Sequence, residues 1–131
     1  MGTRPTAAGD TPGRTVTVRT FDAGMVTMPE PAWCLGRHAD GYHRADIAHQ
    51  GADTPITFRG FELLAAGLVA YPFSELRGPG PEVVVDMGGD WLPLDPAGLE
   101  ALACALVDHA AELRSLARQL AALLAAGEVA E

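Results

Sequence analysis

DPAGLEALACALVDHAAELRSLARQLAALLAA, residues Asp95 to Ala126, is the stretch that decides the fold. Asp95 suits a helix N-cap, because its carboxylate can accept from the free N–H groups of the first turn. Pro96 then falls at the first helical position, where a missing N–H costs nothing. Gly127 follows the last apolar residue as a stop. Leu99, Leu102, Leu106, Leu113, Leu116, Leu120 and Leu123 recur at alternating spacings of three and four, and His109 stands at the one position of the series without a leucine. This is a heptad seam, and the stretch predicts one helix over 96–126.

The predicted helix has two halves. Ala97 to Val107 is apolar nearly all round, which predicts burial on most sides. From Asp108 onward, Asp108, Glu112, Arg114, Ser115, Arg118 and Gln119 face away from the leucines. A helix over 96–126 spans about 46 Å at about 1.5 Å per residue, whereas a compact domain of roughly 100 residues is only about 34 Å across. The helix is therefore expected to overhang its own domain, and a second copy is the simplest cover for the leucines. The expected homodimer interface is Leu106, His109, Leu113, Leu116, Leu120 and Leu123. Alanines at 103, 110 and 117 leave one edge of the seam small, which favours antiparallel pairing. The alternative is a helix lying wholly across its own sheet. His109 either fixes the register of the seam or is simply satisfied by Glu112.

The residues before the helix read as strands and turns. Met1 to Gly13 has no periodicity and reads as a disordered tail, and 14–127 as a single domain. Thr15 to Arg19 alternates β-branched and polar residues, and Phe21 to Gly24 leads to a second short strand, Met25 to Met28, which makes a hairpin. Tyr42 to His49 reads as a strand, Gly51 to Thr54 as a turn and Pro55 to Phe58 as the next strand. Phe61 to Phe73 fits either period and leans to strand, because Val83 to Val85 beyond the Gly/Pro loop is the strongest strand in the chain. Met87 to Asp90 turns toward Trp91, which reads as a core anchor. Strands first and a long helix last predict an α+β fold: a small antiparallel sheet, one face under the first half of the helix. Glu128 to Glu131 is expected to fray.

The formal charge is −8, and all nine basic residues are arginine. Such a chain repels phosphate backbones, so no nucleic-acid binding is expected. No apolar run is long enough to span a bilayer, and no apolar signal-peptide core is present, so no membrane association is expected and the reading is a cytoplasmic protein. Two cysteines, Cys34 and Cys104, provide no disulfide framework. Cys104 lies on the apolar half of the helix and reads as core.

Reactive side chains concentrate in PAWCLGRHADGYHRADIAH, residues Pro31 to His49. Cys34, His38, His43 and His49 are all metal-ligand types, and zinc suits a thiolate with imidazoles. If Tyr42 to His49 is one strand, His43 and His49 stand roughly 20 Å apart, so at most three of the four can share one ion. The expected set is Cys34 and His38 with either His43 or His49, completed by water or a carboxylate such as Asp40 or Asp46. The alternative is a buried Cys34 beside Trp33, histidines on a solvated loop and no cofactor at all. Cys34 as a nucleophile would need a base, for which His38 serves, and an oxyanion hole, which nothing marks. The chain has no nucleophile elbow, phosphate loop or dinucleotide fingerprint.

Thr15-Val16-Thr17-Val18, then Pro31-Ala32-Trp33-Cys34 with His38 four residues on, then Asp46-Ile47-Ala48-His49, and then Leu94-Asp95-Pro96-Ala97-Gly98-Leu99 opening an Ala/Leu helix, together resemble a family of small uncharacterised actinobacterial proteins common in Streptomyces. The resemblance covers roughly residues 15 to 125 and implies a shared fold and lineage but no activity. An arginine-only, alanine-rich composition agrees with translation from a GC-rich genome. The expected function is a non-enzymatic protein-interaction or regulatory module that dimerises through its helix and presents its sheet or loop to a protein partner. The alternative is a zinc-binding protein using the Cys34/His38 loop, structurally or catalytically.

Overall fold

The computed structural model describes residues 14–127. The expected disordered tail and the expected fraying of the last residues lie outside them. The chain divides between Leu94 and Asp95 into two compact units. The first holds small antiparallel sheets and the second is one long helix, an α+β architecture.

β1 (Thr15–Arg19) and β2 (Met25–Pro29) pair antiparallel, Val18 opposite Val26 and Val16 opposite Met28. Their alternation puts Val16, Val18, Val26 and Met28 on one face, where Val18, Met28 and Ile47 form a buried cluster flanked by Phe73. The turn closes on Thr20: its hydroxyl accepts from Ala23 N and donates to Gly24 O at 2.7 Å. Gly24 there has φ +67°, a conformation that disfavours any side chain.

A four-stranded antiparallel sheet runs in the order β3 (His49–Gln50), β6 (Ala66–Ala70), β7 (Glu82–Asp86), β8 (Trp91–Leu94). The valine run occupies its centre, and Val85 is the most deeply buried side chain there. Between β3 and β6, β4 (Ile56–Phe58) and β5 (Phe61–Leu63) form a separate hairpin. Arg59 and Gly60 both take positive φ in its two-residue turn, the backbone that right-handed strand twist demands. The ambiguous Phe61 to Phe73 run is thus strand over Phe61–Leu63 and Ala66–Ala70, split at Leu64, whose φ of +55° separates β5 from β6, and it leaves the sheet at Tyr71.

Tyr42 to His49 is not one strand. Arg44–Asp46 is a 3-10 turn, and only His49 and Gln50 join the sheet. Asp22 Oδ1 accepts from Arg44 N at 2.8 Å, and Tyr42 makes a single parallel bridge to Thr20. These contacts with the β1–β2 turn hold the backbone off a ladder, and a local side-chain acceptor is the kind of competitor that defeats a weak strand pattern.

The second unit is α1 (Pro96–Ala125), with Asp95 as N-cap accepting from Gly98 N at 2.7 Å and Pro96 in the first turn. Gly127, φ +73°, follows its C-cap. None of its residues is buried. Burial of Ala97 to Val107, and of Cys104 as core, is therefore not found; Cys104 is exposed. Four of the eleven residues from Ala97 to Val107 are alanine, which forms helix without needing a covered face. His109 Nδ1 lies 3.3 Å from Glu112 Oε1 on the exposed surface. Trp91 is 54% exposed and lines an open groove rather than anchoring a core. No helix among the described residues is long and apolar enough to cross a membrane.

Candidate metal centre

Strand period places the first member of the group. Val26, Met28 and Glu30 alternate toward the core, and Glu30 N donates to Arg14 O at 3.1 Å, continuing the β1–β2 ladder one step beyond Pro29. A carboxylate thus sits at a core position, 4% exposed. Pro31 and Ala32 then turn the chain, Cys34 N donating to Pro31 O at 3.0 Å. Leu35 N donates to Gln50 O at 2.8 Å, which ties this loop to β3 and brings Cys34 beside His49. Gly36, φ +80°, bends the loop so that its N–H reaches Cys34 Sγ at 3.4 Å. His38 then folds back over the same point.

Four donor atoms converge. Glu30, Cys34, His38 and His49 each offer one, all within 4.8 Å of one another. His38 Nε2 is 3.1 Å from both Glu30 oxygens and 3.6 Å from Cys34 Sγ. His49 Nδ1 is 2.8 Å from Glu30 Oε1. That pair is off the hydrogen-bonding direction, so His49 Nδ1 is buried with no hydrogen-bond partner. The two imidazoles stand edge to face, 5.4 Å between centroids, and Trp33 packs edge-on against His49 at 6.3 Å. Bonds of about 2.0–2.3 Å to a tetrahedral ion put its ligands about 3.3–3.8 Å apart. The donors are spread on that scale, so the group can hold a metal ion.

Electrostatics favour the same use. Burial pushes the Cys34 thiol up, with the Gly36 N–H working against it. A thiol raised in this way is not a poised nucleophile, because the thiolate is the reactive form. Burial also pushes His49 down, which favours the neutral imidazole, the form that ligates a metal. Glu30 is therefore a buried carboxylate whose nearest imidazole, that of His49, brings it no charge.

Of the residues singled out in sequence, Cys34, His38 and His49 are brought together. His43 is not: it is exposed and leans on Phe21, ring centroids 5.1 Å apart. The turn at Arg44–Asp46 separates the two histidines' directions. Asp40 and Asp46 are exposed and outside the group, and its carboxylate is Glu30 instead. The missed signal was period two, Val26-x-Met28-x-Glu30, with an acid where the next apolar residue belongs.

Residues 15–122 match the family described as Domain of unknown function (DUF6907). No curated protein and no solved structure matches the chain.

Proposed function

The chain belongs to the DUF6907 family, and we propose that its domain is a non-catalytic module stabilised by one zinc ion held by Glu30, Cys34, His38 and His49. The observation that carries this reading is the convergence of four donor atoms, from Glu30, Cys34, His38 and His49, all within 4.8 Å of one another in a buried place. His49 Nδ1 reaches Glu30 Oε1 at 2.8 Å without hydrogen-bond geometry, a contact that an ion between the two would complete. Charge supports the choice of ion. A thiolate, a carboxylate and two neutral imidazoles around a divalent cation sum to zero, which removes the main penalty for burying each anion alone. Sulfur with nitrogen in a tetrahedral set suits zinc better than magnesium or calcium, which prefer oxygen. Four protein donors fill that shell, and a filled shell is the mark of a structural site rather than a catalytic one.

The ion would fasten the end of β2 and the Pro31–His38 loop to β3, cross-linking the hairpin to the four-stranded sheet within the first unit. Trp33-Cys34 followed by His38 is then the part of the family resemblance that carries chemistry. A reducing cytoplasm in an actinobacterium belongs to the same reading, supported by two free cysteines and an arginine-only basic composition.

Elemental analysis of untagged protein tests it. One zinc per chain is expected, falling to near zero in Cys34→Ser and in His49→Ala and unchanged in Cys104→Ser. Cobalt substitution should give the visible bands of a tetrahedral thiolate site. Metal-free wild type whose melting is unaffected by zinc or chelator overturns the proposal and leaves Glu30, His38 and His49 as a buried polar cluster.

A further inference from the structure

The second unit carries a different incongruity. Leu113, Leu116 and Leu120 are 54%, 58% and 55% exposed, and Leu106 and Leu123 37% and 39%. On α1 they do not scatter. With Leu99 as heptad position a, the a positions are Leu99, Leu106, Leu113 and Leu120, and the d positions are Leu102, His109, Leu116 and Leu123. A straight apolar seam of this period matches the surface of another helix and little else.

We infer that the seam is an isologous homodimer interface in which α1 pairs antiparallel with α1 of a second copy. A second copy is the chosen occupant because the seam is complementary to itself. Turned end for end about its midpoint near Ala111, every a position meets a d position, Leu99 opposite Leu123 and Leu106 opposite Leu116. His109 then faces Leu113 of the second copy instead of another His109. The edges choose the direction. Ala103, Ala110 and Ala117 occupy successive e positions. In an antiparallel pair e faces e and g faces g, so two alanine edges close on each other and Glu112 and Gln119 stay together on the other edge; in a parallel pair each alanine edge instead faces the mixed g edge of Gly98, Ala105, Glu112 and Gln119.

The area suffices. Gly98 to Leu124 contains sixteen a, d, e and g positions. A standard interface buries about 800 Å² per partner with about 20–30 residues. At that yield the seam buries roughly 900–1,300 Å² in total, which brackets the about 1,000 Å² that a specific interface needs.

Light scattering at tens of micromolar tests the inference, with the full chain as it stands. Wild type should scatter as twice the 13.7 kDa chain mass. Leu113→Glu with Leu120→Glu should weaken self-association by about a hundredfold or more while the helical circular dichroism remains. Ala111→Glu with Arg118→Glu, on the opposite face, should leave the mass unchanged. In a Cys104→Ser background, Ala110→Cys should cross-link to its own copy under mild oxidation and Leu113→Cys should not, since only antiparallel pairing brings the two 110 positions together. A wild-type monomer overturns the interface, as does a dimer that survives both glutamates. Cross-linking at 113 and not at 110 overturns the antiparallel arrangement. If the glutamate variant unfolds, the wild-type mass and the two cysteine variants still decide.

Discussion

The side chains of Glu30, His38 and His49 are 4–6% exposed, and those of Leu113, Leu116 and Leu120 lie more than half in water. Each region reverses the ordinary partition of polar and apolar groups. Each reversal is also organised. The polar atoms point at one another, and the leucines fall in one line. Random misplacement produces neither pattern. On the readings proposed above, the two regions differ in what would complete them: a compact positive charge in one, and apolar surface of matching period in the other. Both readings therefore treat an incongruity of one chain as half of a contact, and they fail independently. A metal-free protein says nothing about the seam, and a monomer says nothing about the cluster.

The largest effect should come from breaking the polar region. If the ion is present, removing it leaves a buried carboxylate and thiol with too few partners, and His49→Ala removes one donor permanently. Breaking a buried charge arrangement by deleting one member costs about 3–5 kcal/mol. For a domain of this size 1 kcal/mol moves the melting temperature by about 4–8 °C, so His49→Ala should melt at least ~10 °C lower. The same fall should follow a strong chelator in wild type, and the chelator should add nothing to the variant. A variant that melts like wild type shows that the cluster contributes no stability.

Glu30→Gln should come next. It keeps shape and removes the charge, so it separates electrostatics from packing. Neutralising this one donor leaves the cation with one uncompensated charge in a buried place. Zinc affinity should drop by more than tenfold in competition with a colorimetric chelator, with a smaller loss of stability than in His49→Ala. If Glu30→Gln instead stabilises the protein and zinc is retained, the carboxylate is no ligand and the remaining three donors hold the ion with water.

In the apolar region the corresponding local change is Asp95→Ala. Asp95 Oδ1 accepts from Gly98 N at 2.7 Å, and losing an N-cap costs about 0.5–2 kcal/mol. The first turn of α1 should fray, visible as faster amide exchange at Leu99 and Glu100, while zinc content stays constant. A loss of zinc in Asp95→Ala would join two regions that the comparison holds apart.

Both the helix and the hairpin were legible because strong local signals agreed. Asp95, Pro96 and Gly127 bracket α1, and Phe21 to Gly24 marks the β1–β2 turn. The site was legible only in part. Cys34, His38 and His49 announce themselves as ligand types, but Glu30 was hidden by Pro29. Proline reads as a strand stop, but at the end of an edge strand it needs no N–H and the ladder continues past it, Glu30 N donating to Arg14 O. The strand assigned to Tyr42 through His49 failed for a related reason: Asp22, twenty-two residues away, caps Arg44 N, and no local pattern reports a partner at that distance. The apolar girdle of Ala97 to Val107 misled because alanine counts as hydrophobic in a pattern while demanding little cover.

The smallest effect is expected where residue type is kept and placement differs. His43 and Cys104 are a histidine and a cysteine like those of the cluster, but both are exposed. His43 touches Phe21, itself 75% exposed, so it offers packing on one side only. Cys104 falls at heptad position f, on the side of α1 away from the seam. Substitutions at such positions usually stay within about 0.5 kcal/mol. The variant His43→Ala with Cys104→Ser should therefore keep wild-type zinc content, melt within ~4 °C of wild type and keep wild-type mass in light scattering. The pair is informative because a sequence count of ligand types cannot tell it from Cys34 with His49, whereas burial and convergence can. If the double variant loses zinc while Cys34→Ser with His49→Ala keeps it, the ion sits on the exposed loop and the buried cluster is only a polar core. If it loses mass instead, the f face of α1 belongs to the interface and the leucine seam does not define it.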